Sequence, residues 1–230
     1  MKVLQILPQL NIGGVERGTL DLSKALIQKG HESFVISGGG ILVDELEKFG
    51  AKHYEIPVHI KSLRTLSLAK SLSETISSMH PDIVHIRSRM PAWVNYRAFK
   101  MLQKKPLLVS TFHGLYSFPI YSKVMSFVDH SIAISKTVEN YILENYKLDK
   151  NDITVIPRGC DPVEFNNDEI NPDDKAKIIN ELPQIVGKTV LTIPGRITKW
   201  KGVAEFIELL SLLDDNYHGL IVGPTAKSKN

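Results

Sequence analysis

Three segments of the sequence place glycines, a histidine or cations directly after runs of apolar, β-branched residues. The first, residues 8–17 (PQLNIGGVER), follows the first such run and opens a helical pattern. Gly13 and Gly14 would let the backbone approach a ligand, and the helix N-terminus behind them would offer N–H groups to a phosphate. Because the segment lacks the G-x-G-x-x-G pattern, a purely structural turn is an equal alternative.

His113 lies in the second segment, residues 110–114 (STFHG). At the end of a strand and beside a glycine, its imidazole could hydrogen-bond a sugar hydroxyl or take part in proton transfer. A lone histidine is more often a capping or core residue, so this segment alone does not decide its role.

Arg196 and Lys201 lie in the third segment, residues 193–202 (IPGRITKWKG). The guanidinium offers a planar fork for phosphate oxygens, and the ammonium supplies a compact, mobile charge. Two cations flanked by glycines suit a diphosphate better than a carboxylate, although a solvated basic loop has the same composition. A fourth segment, residues 155–165 (VIPRGCDPVEF), is rich in turn residues, which favours a connection between domains over catalysis.

The elements that would position these residues alternate along the chain. Short apolar runs predict strands at 3–7, 34–36, 54–56, 83–86, 107–111, 131–134, 154–156, 190–193 and 220–222. Most of them are separated by segments in which apolar residues recur three and four positions apart, as is typical of helices. This alternation predicts repeated βαβ units and therefore an α/β protein with a doubly wound parallel sheet.

The alternation pauses between residues 157 and 187, which are dense in Asp, Asn and Pro. Such composition is typical of a connection. We therefore predict a complete N-terminal Rossmann-like domain over residues 1–165, a linker over 166–186 and the beginning of a second Rossmann-like domain over 187–230. The last part offers only strand, helix and strand, which is too little for an independent core.

The composition of the 230 residues, 43% hydrophobic and 23% charged, excludes collagen-like, low-complexity and wholly disordered proteins. A single cysteine, Cys160, excludes an internal disulfide and favours a reducing compartment. No apolar run approaches the roughly 20 residues that cross a bilayer. The apolar segment at residues 1–7 is too short and insufficiently basic for a signal peptide. We therefore expect a cytoplasmic protein.

Charge is unevenly distributed. Residues 1–110 carry fifteen Lys and Arg against nine Asp and Glu, whereas residues 111–230 carry thirteen against sixteen. A basic half favours a phosphate-rich partner, which could be nucleic acid, an anionic membrane or a phosphorylated substrate. An ordinary solvated surface is an equal alternative.

Taken in order, the motifs resemble those of one family. They are residues 13–17 (GGVER), 111–113 (TFH), 156–161 (IPRGCD), 195–196 (GR) with 201–202 (KG), and 221–223 (IVG). Their order and spacing are similar to those of the retaining GT-B glycosyltransferases of family 4. Residues 85–93 (HIRSRMPAW) further resemble a bacterial subgroup that acts in lipopolysaccharide core assembly.

The resemblance implies a hexosyltransferase with two Rossmann-like domains. It assigns a catalytic role beside the transferred sugar to His113. It assigns substrate binding to the following residues: Gly13, Gly14, Glu16, Arg196 and Lys201. The two cations would bind the diphosphate of a nucleotide-sugar donor, and a glycan or glycolipid of the bacterial envelope would be the acceptor. No metal, no cofactor and no nucleic acid partner is expected, and the enzyme would contact the inner face of the cytoplasmic membrane peripherally.

The family also carries a pair of glutamates late in the second domain, and the sequence ends before that region. We therefore expect that the 230 residues could be inactive alone. A binding module for anionic lipid or phosphorylated glycan is the alternative function; its surface would comprise Arg64, Lys70, Arg97, Lys100, Lys104 and Lys105 with Trp93, Tyr96 and Phe99. A dinucleotide-dependent oxidoreductase is disfavoured, because the glycine fingerprint and an acidic residue after the second strand are both missing.

Overall fold

A computed structural model describes residues 1–60, 63–116, 119–162, 165–166, 170–195 and 197–223. The chain divides into two units, Met1–Gly159 (unit 1) and Cys160–Asn230 (unit 2). The division falls a few residues before the boundary predicted at residue 165. Each unit is described by itself below.

Unit 1 contains a seven-stranded parallel sheet. Its strands are β1 (Lys2–Ile6), β2 (Glu32–Ser37), β3 (Lys52–Glu55), β4 (Ile83–Ile86), β5 (Leu107–Phe112), β6 (His130–Ala133) and β7 (Ile153–Val155). The spatial order is β3-β2-β1-β4-β5-β6-β7, so the direction of winding reverses between β1 and β4. Open sheets of this kind bind ligands outside the carboxyl ends of the strands near such a reversal.

The helices of unit 1 cover both faces of this sheet. They are α1 (Gly14–Gln28), α2 (Val43–Lys48), α3 (Ala69–Met79), α4 (Arg89–Phe99), α5 (Pro119–Ser122) and α6 (Lys136–Tyr146), with 3-10 turns at Leu63–Leu68, Lys123–Ser126 and Lys150–Asp152. One core cluster joins α1 and α2 through residues such as Leu20 and Leu46. The other joins α3, α4 and α6 through residues such as Leu72, Val94 and Ile142, as expected of a doubly wound domain.

The central strand β1 shows why this sequence needs both layers. Leu4 and Ile6 belong to the core that α3 and α4 cover. Gln5, between them, faces α1, where its side-chain amide donates to the Ser23 hydroxyl (2.9 Å) and to the Thr19 carbonyl (3.1 Å). All three side chains are fully buried. Because successive side chains of a strand point to opposite faces, both faces of β1 must be covered.

Unit 2 contains α7 (Pro172–Glu181), β8 (Thr189–Pro194), α8 (Val203–Ser211) and β9 (Tyr217–Val222), with 3-10 turns at Pro183–Ile185 and Lys199–Lys201. The two strands pair in parallel. None of the described residues of unit 2 is buried, and apolar side chains such as Ile207 and Leu212 are largely exposed.

Each of the nine predicted strands overlaps an observed strand, and the parallel α/β architecture is confirmed. Within the residues that the structure describes, we find no helix that is both long and apolar enough to cross a membrane.

Candidate active site

The carboxyl edge of the unit 1 sheet collects polar residues from four strands. Gly13 and Gly14 follow β1, Arg87 follows β4 directly, His113 follows β5 directly, and Arg158 comes shortly after β7. Because the strands are parallel, all four segments emerge at the same edge.

The loop that carries Gly13 and Gly14 is tied to the loop after β2. Leu10 N–H donates to the Gly39 carbonyl (2.8 Å), and Leu42 N–H donates to the Leu10 carbonyl (2.9 Å). Gly40 lies between these contacts with a φ of +142°, and a Cβ atom there would overlap the backbone of Leu10. A glycine is therefore required at this crossing, which holds the start of α1 in place.

Two guanidinium groups lie against the first turn of α1. Arg158 Nη1 donates to the Gly14 carbonyl. A Cβ atom added at Gly18 would lie 2.7 Å from Arg158 Nη2 and 3.1 Å from Arg87 Nη2. Both cations thus approach the same point of the helix, and the small residue at position 18 makes the room for them.

Arg87 is fixed from inside the sheet. It is only 5% exposed, and its Nη1 donates to Gln5 Oε1 (2.8 Å). Burial, together with the charge of Arg158, lowers the pKa of Arg87 to about 10, while Asp21 and Glu16 act in the opposite direction. Arg87 therefore remains a cation at neutral pH.

His113 presents a neutral imidazole to this edge. Its backbone N–H donates to the Tyr116 hydroxyl (3.5 Å). Both ring nitrogens are buried, and the described residues offer neither of them a hydrogen-bond partner. Burial, followed by the charges of Arg87 and Arg158, lowers the pKa of His113 to about 3. At physiological pH the neutral ring can hydrogen-bond a hydroxyl, but it is not the imidazolium that would act as a general acid.

His85 lies in β4 next to this group and shares a hydrogen bond with the Thr111 hydroxyl (2.7 Å). Burial, then the proximity of Arg87 and of His113, lowers the pKa of His85 well below its usual 6.5. The buried pair links β4 to β5 directly beneath the site.

The structure brings together four of the predicted site residues, Gly13, Gly14, Glu16 and His113, at one edge of unit 1. Lys201 lies in unit 2, where its aliphatic stem packs on Gly195; a Cβ atom at Gly195 would lie 3.3 Å from Lys201 Cε. Arg196 lies outside the described residues. The described part of the chain contains no group of three or more His, Cys, Asp or Glu side chains that could hold a metal.

Sequence analysis missed Arg87 and Arg158 as site residues. Arg87 was part of the motif 85–93, and Arg158 was part of the turn interpreted as a domain connection. A signal was present, because each arginine follows a predicted strand within three residues, as His113 does. Their convergence depends on the strand order, which no single motif contains.

Acidification should destabilise unit 1 through its buried histidines. In the unfolded chain His113 titrates near 6.5, whereas its folded pKa is about 3, so below pH 6.5 the unfolded state binds the extra proton. We expect the free energy of unfolding to fall by about 2 kcal/mol between pH 6.5 and pH 5 from this group. Denaturant unfolding at several pH values measures the free energy of unfolding. A plot of this free energy against pH should have a shallower slope for His113→Gln than for the unchanged protein. An equal slope in His113→Gln and in the exposed-site control His80→Gln would contradict the prediction.

A doubly wound parallel sheet with a glycine loop, two cations and an imidazole at its carboxyl edge defines unit 1 as a Rossmann-like domain. Residues 12–164 match the model of Glycosyltransferase Family 4. The match covers more than half of the chain, and the chain belongs to this family.

Known structures share the fold. A glycosyltransferase from Rickettsia africae is 36% identical, and the similarity covers 96% of this chain and 60% of that chain with a TM-score of 0.81. HepE from Anabaena, crystallised with UDP and glucose, is 18% identical over 100% of this chain and 62% of its own, with a TM-score of 0.80. The predicted GT-B type of fold is thereby confirmed.

An uncharacterized glycosyltransferase from Methanocaldococcus jannaschii is 31% identical over 145 residues, which are 55% of this chain and 35% of that relative. The chain thus spans about a third of this curated relative and about three fifths of the two solved structures.

Proposed function

We propose that the protein is a hexosyltransferase. It transfers a sugar from a nucleotide-diphosphate donor to a glycan or glycolipid acceptor of the bacterial envelope, with retention at the anomeric carbon. The observation that carries the proposal is the arrangement at the carboxyl edge of unit 1. There the neutral ring of His113, whose nitrogens find no partner among the described residues, lies beside two guanidiniums and the N-terminus of α1. Sugars offer hydroxyls for the imidazole, and phosphates offer charge for the cations.

In the proposed reaction, the bond between the anomeric carbon and the donor diphosphate breaks, and its electron pair leaves with the phosphate oxygen. The acceptor oxygen forms the new bond on the same face, and its proton passes to the departing phosphate. Lys201 and Arg196 offset the charge that develops on the diphosphate, as preorganised cations do in such transition states. His113 holds a hydroxyl of the transferred sugar, and Gly13, Gly14 and Glu16 contribute the loop near the phosphates. We predict no metal or cofactor requirement.

Two observations support the choice of donor and acceptor. The structurally similar HepE was crystallised with UDP and glucose. The segment 85–93, whose sequence resembles lipopolysaccharide core enzymes, contributes Arg87 to the site. The proposal places the enzyme in the cytoplasm, at the inner face of the cytoplasmic membrane.

Nucleotide release and product analysis test this proposal. The protein would be incubated with UDP-, ADP- and GDP-hexoses and an envelope glycolipid fraction, and NMR would assign the anomeric configuration of the product. We expect one donor to be consumed with retention. A product with inverted configuration would overturn the retaining mechanism. If none of the three donors is bound or consumed, the assignment as a hexosyltransferase would be overturned.

A second function, docking on an anionic membrane, is favoured by a basic groove on unit 1. The groove has a volume of about 650 Å³ and is lined by Ser67, Ala69, Lys70, Trp93, Tyr96, Arg97, Lys100 and Met101. Three of these residues are cations, and none is acidic. Lys100 Nζ lies 4.3 Å from the centre of the Tyr96 ring, which keeps the ammonium at the groove.

The structure corrects the aromatic part of the predicted membrane surface. Phe99 is buried in the core between the sheet and the helices, so it cannot anchor the protein. Trp93 packs partly against the same core, and its indole N–H donates to the Tyr121 carbonyl (3.0 Å). The exposed apolar side chain at the groove is Met101. The side chain of Arg64 lies outside the described residues.

We expect the protein to sediment with vesicles that contain phosphatidylglycerol, at low salt, and not with pure phosphatidylcholine vesicles. Each cation near an anionic leaflet contributes about 1 kcal/mol, so replacing Lys70, Arg97 and Lys100 by alanine should weaken the partitioning by about 100-fold. Alanines at Lys29, Lys48 and Lys150, which are exposed cations outside the groove, provide the matched control. Equal loss in both triple variants, or equal binding to both lipids, would rule out the groove as the docking surface.

A further inference from the structure

Neither arginine at the candidate site forms an ion pair with a carboxylate in the described part of the chain. Asp21 and Glu16 are near enough to influence Arg87, but no ion pair of Arg87 is found among the described residues. Asp21 is paired with Arg17 Nε instead (3.2 Å). Two cations that approach the same point repel each other, so the arrangement is costly unless an anion joins it.

Three buried polar atoms of Arg87 and His113 also find no hydrogen-bond partner among the residues that the structure describes. Arg87 is only 5% exposed, and its Nε has no hydrogen-bond partner among the described residues. The two ring nitrogens of His113 are in the same condition. Buried polar groups of native proteins are almost always hydrogen-bonded, because leaving one unpaired costs about 1–3 kcal/mol. The arginines therefore fit a ligand group that brings negative charge, and the imidazole fits a hydroxyl group.

We propose that Arg87 and Arg158 bind a phosphate group of the acceptor. The inference rests on the proposed function, in which Arg196 and Lys201 of unit 2 already offset the charge of the donor diphosphate. The cations of unit 1 are then left for a second anion. Two guanidiniums present paired N–H donors, which match the several oxygens of a phosphate better than the two of a carboxylate.

The elements of unit 1 explain how such a site stays assembled. Gln5 holds Arg87 from the centre of the sheet, and the Gly14 carbonyl holds Arg158 at the start of α1. Arg158 is exposed, so the phosphate would reach the pair from its side. Gly18 leaves the space that both guanidiniums use.

Calorimetric titration of the full chain with glucose 6-phosphate, glucose and UDP tests the inference. Arg158→Ala should weaken binding of glucose 6-phosphate by about 10- to 100-fold, the loss expected for hydrogen bonds to a charged group, and should change the affinity for UDP less than twofold. Lys201→Ala should weaken binding of UDP by about 10- to 100-fold and should change the affinity for glucose 6-phosphate less than twofold. Lys29→Ala is the surface control.

The outcomes separate the two proposals. If Arg158→Ala weakens UDP as strongly as glucose 6-phosphate, the pair serves the donor and the inference is wrong, while the transferase remains. If glucose 6-phosphate binds no more tightly than glucose in the unchanged protein, the phosphate site is wrong. If it binds through Arg158 while no nucleotide sugar is bound or consumed, the phosphate site is supported and the transferase is overturned.

Discussion

Replacing Lys201 with alanine is expected to lower kcat for sugar transfer by about 100- to 1000-fold, which corresponds to about 2.7–4 kcal/mol of transition-state stabilisation. The ammonium is proposed to offset the charge that appears on the diphosphate as the sugar leaves it. Its stem packs on Gly195, so the charge is held at the turn after β8. Arg196→Ala should have an effect of the same size, because the sequence places this second cation in the same turn.

Lys199 supplies the matched control for this prediction. It is an exposed lysine in the same 3-10 turn, Lys199–Lys201. Steady-state kinetics with a nucleotide-sugar donor should show a large loss of kcat for Lys201→Ala and a change below about threefold for Lys199→Ala. Full activity of Lys201→Ala would remove Lys201 from the reaction, and equal losses in both variants would point to a general effect of charge.

Replacing Gly40 with alanine should produce the largest loss of stability, about 3 kcal/mol. The φ of +142° disfavours any side chain, and the new Cβ would overlap the Leu10 backbone. The loops after β1 and β2 would have to separate. For a unit of this size the melting temperature should fall by about 6–12 °C.

Gly30→Ala separates strain from overlap. Gly30 also has a positive φ, +74°, but a Cβ there meets no atom within 4 Å, so only the backbone cost of about 1–2 kcal/mol applies. In thermal unfolding followed by circular dichroism, the melting temperature of Gly40→Ala should be well below that of Gly30→Ala. Similar melting temperatures of the two variants would mean that the loops after β1 and β2 separate without a loss of stability.

The central strands of unit 1 were predictable because they are buried on both faces. A strand in the middle of a parallel sheet reads as a continuous apolar run, and β4 occupies the four residues predicted for it. The glycine loop and His113 were predictable for a related reason, since both directly follow such runs. What could not be predicted is the meeting of Arg87 with Arg158, because it depends on the strand order and on the space at Gly18.

The error at Phe99 was avoidable. Ala92, Asn95 and Phe99 are three and four positions apart in α4 and are all buried, whereas Arg97 and Lys100 between and beyond them are exposed. Helical spacing alone places Phe99 on the buried face.

Strand β1 is synthesised before the other strands of its sheet, yet it lies in the middle of the finished sheet. Val3 pairs with Ser33 of β2 on one side and with Ile83 of β4 on the other. At about 5–20 residues per second, synthesis of the stretch between β2 and β4 takes about 2–10 seconds. During that interval one edge of β1 has no partner, and an unpaired apolar edge is a template for aggregation. The nascent chain should therefore depend on protection of this edge until β4 has been made, and the first half of unit 1 should not fold stably before then.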